Sequence, residues 1–192
     1  MRDRREAMDQ ATVIRARNGD RDAFATLVRQ ALPWMDRVAR LTVRDPDIAR
    51  DAVQEALVRA WRALPGLRDP ELFEAWLRRL LVHACIDEVR RTRRRLVVEV
   101  ALTDLHHPDV GDASLSAADR DALERAFRRL DPVQRAVVVL HYYQDLTVAE
   151  TAAALEMPVG SVKSTLSRSR DAMRAALEAD ARPGTALEGG VA

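Results

Sequence analysis

Three times in this chain an aspartate precedes a proline and a run of apolar residues at helical spacing: Asp45-Pro46, Asp69-Pro70 and Asp131-Pro132. A carboxylate at the N-cap satisfies amides of the first turn, and proline suits the first helical position, where no amide partner is required. This punctuation points to an all-α chain. After the first pair, Ile48, Ala52, Val53, Ala56, Leu57, Ala60 and Trp61 fall inward, leaving Asp51, Gln54, Glu55, Arg59 and Arg62 toward solvent or a partner. Leu64-Pro65-Gly66 ends that helix. After the second pair, Phe73, Trp76, Leu77, Leu80, Ala84 and Val89 face a core, and the same helix runs on into Arg90, Arg91, Arg93, Arg94 and Arg95. After the third, Val133, Ala136, Val137 and Leu140 point inward. Asp20 caps a further helix with Phe24, Leu27 and Val28, which Pro33 is expected to kink or end. Alanine and leucine, strong helix formers, dominate the apolar residues, and no strand pattern or internal repeat emerges.

The stretch from Thr147 to Leu177 has the form of a helix-turn-helix. Thr147 and Glu150 have capping-box spacing, and Ala149, Ala152, Ala153 and Leu155 give a short, closely packing helix. Met157-Pro158-Val159-Gly160 breaks it, with glycine easing the connection. The second helix starts near Ser161, with Val162, Leu166, Met173 and Leu177 inward. Lys163, Ser164, Ser167, Arg168, Arg170 and Arg174 lie on its other sides, with Asp171 the sole acid among them. Long cationic donors beside short hydroxyls suit phosphates and the major groove. A surface helix with solvated arginines has the same pattern, so the motif alone names no function.

The formal charge of +1 averages over a strong segregation. Arg78, Arg79 and the five arginines from Arg90 to Arg95 are opposed locally by Asp87 and Glu88. Dipole compensation at a helix end needs one or two cations, so that run points to a polyanion. Leu96 to Ala118 then carries Glu99, Asp104, Asp109 and Asp112 and no lysine or arginine. The expected organisation is a helical domain over 9–95, a flexible linker over 96–115, a second helical domain over 116–178 and a disordered tail over 179–192. Ser116 with Asp119 is the expected start of the second domain. No apolar run reaches the length of a membrane span, and no secretory signal is visible. The single cysteine, Cys85, fits a reducing cytoplasm.

D-P-D-I-A-R-D-A-V-Q-E-A-L-V-R-A-W-R, followed by F-E-A-W-L-R-R-L-L-V-H-A-C-I-D-E-V-R-R-T-R-R-R, resembles the second conserved domain of bacterial sigma factors. L-D-P-V-Q-R-A-V-V-V-L-H-Y-Y-Q-D-L-T-V-A-E-T-A-A-A-L, with P-V-G-S-V-K-S-T-L-S-R-S-R, is similar to their fourth. Two domains and a short linker resemble the extracytoplasmic-function group, over about Asp20 to Leu177. The resemblance implies that Asp51, Gln54, Glu55 and Arg59 dock on the clamp helices of the largest subunit of core RNA polymerase. It implies that the Pro65 to Leu72 loop captures an unstacked base near −10. His83, Asp87, Arg90, Arg91 and Arg94 would read the −10 element, and Lys163, Ser164, Ser167, Arg168 and Arg170 the −35 element, with Arg174 on the same basic helix. The acidic linker would thread toward the polymerase active centre, where it could mimic RNA charge; simple solvation explains its composition equally well. Family members are often held inactive by an anti-sigma factor. Thr151 departs from the family's aliphatic pattern, which implies looser packing, and Thr165 and Ser167 are small where relatives are often bulkier.

Catalysis finds little footing. His83 and Cys85 are two apart and point to different sides of a helix, and His106-His107 has no partner set of metal spacing. No phosphate loop or nucleophile motif is present, so no cofactor is expected. A stand-alone helix-turn-helix repressor or activator remains the alternative; it would need a dimer surface giving spaced half-sites.

Overall fold

The structure is a computed structural model that describes residues 8–96 and 117–181. Eight α-helices follow in order: α1 (Gln10–Arg17), α2 (Arg21–Val43), α3 (Pro46–Ala63), α4 (Phe73–Leu96), α5 (Ala117–Arg128), α6 (Pro132–Val138), α7 (Val148–Leu155) and α8 (Val159–Ala181). Two 3-10 turns, Leu64–Gly66 and Pro70–Leu72, join α3 to α4, and a π-helical turn, Val139–Tyr143, prolongs α6. No strand occurs among the described residues.

The acidic caps act as the sequence indicates. Asp20 and Asp45 each accept from two amides of the following turn, Asp69 accepts from the Glu71 amide, and Asp9 caps a separate α1. At α6 the box closes reciprocally: the Asp131 amide donates to Gln134 Oε1 at 2.9 Å and the Gln134 amide to Asp131 Oδ1 at 2.9 Å. Asp131→Ala is expected to cost about 1 kcal/mol, read as a lowered denaturation midpoint.

Pro33 does not end α2, which continues past it through 23 residues. The proline is exposed, while Ala31, Trp34, Met35, Val38 and Ala39 around it are buried and offset the one lost hydrogen bond. In the first block, α1 packs on α2, and α2, α3 and α4 pack on one another around Val13, Leu27, Met35, Phe73, Leu77 and Leu81.

In the second block, α5, α6 and α7 all pack on α8. Leu130, Val137, Leu140, Leu155, Val162 and Leu166 fill it. Further along α8 the expected inward face is corrected. Met173 is half-buried and Leu177 exposed, whereas Thr165, Ser169 and Ala176 are buried, so small side chains line the close approach. Thr151 is fully buried and its Oγ1 donates to the Thr147 carbonyl at 2.9 Å, so the hydroxyl costs no unsatisfied donor. The left-handed residue of the helix-turn-helix is Glu156, at φ 51°, and not Gly160, which lies inside α8 with open space where a Cβ would sit. α8 accordingly begins at Val159 rather than Ser161.

The two blocks also pack against each other: α2 meets α6 and the π-helical turn, and α4 meets α7. Arg135 on α6, only 8% exposed, donates through Nε to the Thr42 carbonyl at 2.8 Å and through Nη1 to the Leu130 carbonyl at 2.8 Å. Arg37 Nη1 donates to the Tyr143 hydroxyl at 3.0 Å, and Arg44 Nη2 lies 3.8 Å from Glu124. Burial first, and then neighbouring Arg128 and Arg135, pull the Arg44 guanidinium down to about 10, which leaves it charged at neutral pH. Residues 97–115 of the expected linker, Ser116 and residues 182–192 of the expected tail lie outside the described residues, whereas α4 runs on to Leu96 and α8 to Ala181, past both expected boundaries.

Candidate polymerase and nucleic-acid interfaces

On α3, Asp51 and Gln54 are exposed and Glu55 and Arg59 half-buried. Arg59 Nε bonds Glu55 Oε1 at 2.8 Å, one turn away, and its Nη1 bonds Asp87 Oδ2 on α4 at 3.1 Å. The bond to Glu55, opposed by burial and helped by Asp87, raises the Arg59 pKa further above its already high ordinary range. Arg59 thus ties the expected docking face to the expected −10 helix. Val58, 42% exposed, continues the Asp51, Gln54, Glu55 stripe at helical spacing. The sequence reading passed over it, although its offset from the buried Val53, Ala56 and Ala60 was the available signal.

On α4 the residues expected to meet the −10 element divide. Arg90, Arg91 and Arg94 are exposed; Arg91 bonds Glu88 at 2.7 Å, and Arg94 Nε donates to the Arg90 carbonyl at 3.3 Å. Asp87 is engaged by Arg59, and half-buried His83 turns toward the second block. The Pro65 to Leu72 loop is held by α1, with Gln10 Nε2 donating to Glu71 Oε1 at 2.8 Å and Arg17 Nη1 to the Leu67 carbonyl at 3.3 Å. Leu72 projects from it, 56% exposed. A shallow cavity of about 330 Å³ opens beside it, lined by Met8, Gln10, Pro70, Glu71, Phe73 and Glu74.

On α8, Lys163, Ser164, Arg168, Arg170 and Arg174 are exposed and Ser167 half-buried. Among the described residues Arg168 makes only long bonds within its own helix, to the Ser164 carbonyl and Thr165 Oγ1 at 3.4 Å each, so its guanidinium can be redirected at small cost. Val162, Leu166 and Thr165 fasten the opposite side of the helix to the block. The result is a cationic face on a rigid support.

Cys85 is fully buried, and burial pushes its thiol from an ordinary value near 9 up to about 12. Its alkylation by iodoacetamide at neutral pH is expected only on unfolding. Reaction at a rate independent of denaturant would contradict that burial. With the folded value raised, the protonated thiol stabilises the fold fully below about pH 9, and that contribution is lost as pH rises toward 12. Among the described residues no group of three His, Cys, Asp or Glu is placed to hold a metal ion, and no helix is long and apolar enough to cross a membrane.

Residues 27–95 match the family described as Sigma-70 region 2, and residues 120–173 match Sigma-70, region 4. The RNA polymerase sigma-E factor of Streptomyces avermitilis is 38% identical over 165 residues, covering 86% of this chain and 90% of that protein. The chain belongs to the sigma-70 family, as an RNA polymerase sigma factor of the extracytoplasmic-function type. The ECF RNA polymerase sigma factor SigM of Mycobacterium tuberculosis is 36% identical over 152 residues, covering 79% of this chain and 76% of that one. Among solved structures, CnrH in complex with the cytosolic domain of CnrY is 27% identical with a TM-score of 0.62, covering 90% of this chain and 99% of that one. The sigma factor RpoE of Bartonella quintana, solved with the anti-sigma factor NepR, has a TM-score of 0.63 at 24% identity and shows the shared fold. Region 2 of the sigma factor runs from within α2 to the last turn of α4 and region 4 from within α5 through most of α8, so the expected docking, −10 and −35 residues lie inside a matched region except Arg174, which is one residue beyond it.

Proposed function

We propose that this sigma factor divides promoter recognition between its two blocks while α3 docks on core RNA polymerase. The observation that carries the division is the cationic face of α8, with Lys163, Arg168, Arg170 and Arg174 exposed on a helix whose other side is buried. That helix enters the major groove of the −35 duplex: its arginines meet guanine edges and phosphates, and Ser164 and Ser167 supply short donors. Arg90, Arg91 and Arg94 on α4 bind phosphates of the opening nontemplate strand at −10, with His83 and Asp87 on the same helix. The Pro65 to Leu72 loop holds an unstacked base. Contacts to the unstacked base and to the strand's phosphates offset part of the cost of melting. Asp51, Gln54, Glu55 and Arg59 face the clamp helices of the largest subunit.

The working units are 9–95 for docking and −10 recognition and 116–178 for −35 recognition, joined by 96–115 and followed by the tail 179–192. The protein acts in the cytoplasm as an initiation subunit and not as an enzyme, and an anti-sigma factor is a further expected partner. Photocross-linkers at Lys163 and Arg90, in holoenzyme bound to promoter DNA, test the division. Lys163 is expected to label the −35 duplex and Arg90 the −10 nontemplate strand; reversed or coincident labelling would overturn it.

A further inference from the structure

Asp87 stands on α4 three, four and seven residues before Arg90, Arg91 and Arg94, so all four share one face of the helix. A bare carboxylate on that face would repel the phosphates that the arginines attract. The α4 arginines are engaged elsewhere: Arg91 bonds Glu88 at 2.7 Å, and Arg94 Nε turns back to the Arg90 carbonyl at 3.3 Å. Among the described residues, the cation that answers Asp87 comes from α3, where Arg59 Nη1 donates to Asp87 Oδ2 at 3.1 Å. The side chains are partly shielded, Arg59 at 31% exposure and Asp87 at 46%, so solvent ions screen this pair less than one in the open.

Arg59 is itself held in place. Its Nε donates to Glu55 Oε1 at 2.8 Å, with the acid one turn N-terminal to the arginine, the favourable order on a helix. Ala56 and Ala60, on the same helix, are fully buried, and α3 packs directly on α4. One guanidinium therefore spans two helices, with Glu55 on the face assigned to polymerase and Asp87 on the face assigned to the strand. We infer that Arg59 is a positioning residue for −10 recognition: it neutralises Asp87, so that the strand meets Arg90, Arg91 and Arg94 without an opposing charge. Arg59 acts on the strand through Asp87 and not by touching DNA. This rests on the assignment of α4 to the −10 strand.

The test is binding of a fluorescent single-stranded oligonucleotide to holoenzyme assembled with saturating core polymerase, so that docking strength does not enter. The oligonucleotide carries the −10 nontemplate strand of a promoter that the holoenzyme transcribes. Arg59→Ala is expected to weaken binding about fivefold, and the loss should shrink as salt is raised. The double variant Arg59→Ala with Asp87→Asn should recover most of the loss, since no charge is left to neutralise. A brace between α3 and α4, a direct phosphate contact by Arg59 or a misfolded variant would each leave the double variant no better than the single one. Arg90→Ala is measured alongside. Strand binding unchanged by Arg90→Ala would fail the assignment of α4 itself. Binding weakened by Arg90→Ala but not by Arg59→Ala, or a loss in Arg59→Ala that Asp87→Asn does not recover, would overturn the role of Arg59 alone.

Discussion

Replacing Asp51 and Glu55 together by lysine is expected to weaken association with core RNA polymerase about 100-fold, because like charges brought together at an interface cost several kcal/mol. The two carboxylates lie one turn apart on α3 beside exposed Gln54 and Val58, so a partner surface meets them as one stripe. Val58 gives the stripe an apolar centre that a docked surface can desolvate, which raises the weight of the flanking charges. The reversal leaves the buried side of α3, with Ala49, Ala52, Val53, Ala56 and Ala60, untouched. It does remove the Glu55 partner of Arg59, yet Asp87 still holds that guanidinium. Helical content should therefore persist while affinity falls. Unchanged association in a folded variant would remove α3 from the docking face.

Arg168→Ala is expected to lower transcription from promoters that depend on their −35 element about tenfold, the equivalent of one good base or phosphate contact at about 1–3 kcal/mol. Its only hydrogen bonds among the described residues are the two at 3.4 Å within α8, so its loss should leave the fold intact. Core binding should not change, since the docking stripe lies on the other block. Reduced core binding by this variant would contradict the separation of roles.

Much of this was legible in the sequence because it is local. Asp20, Asp45 and Asp131 cap the helices they precede, Asp69 caps the 3-10 turn that leads into α4, and Thr147 with Glu150 closes the box that starts α7. The basic residues of α8 are exposed as their spacing indicates. What escaped the sequence depends on partners distant along the chain. Pro33 was expected to kink or end α2; it does not end it, because tertiary burial on both sides outweighs one missing hydrogen bond. Leu177 fits the helical period and is nonetheless exposed, because the block does not extend over it, while Thr165 and Ser169 are buried where α8 comes close to its neighbours. The packing of the two blocks, with Arg135 on Thr42 and Glu156 on Arg79, joins residues tens of positions apart that no local pattern links. Asp87 belongs to the same class. Its pairing with Arg59 couples two surfaces that the sequence presents as separate.

The most direct measurement is co-elution of the purified chain with core RNA polymerase, paired with its binding to duplex DNA alone. An initiation subunit should associate tightly with core and bind duplex only feebly by itself. Indifference to core, with salt-sensitive and sequence-specific duplex binding as a dimer, would contradict the assignment and describe a stand-alone helix-turn-helix regulator instead.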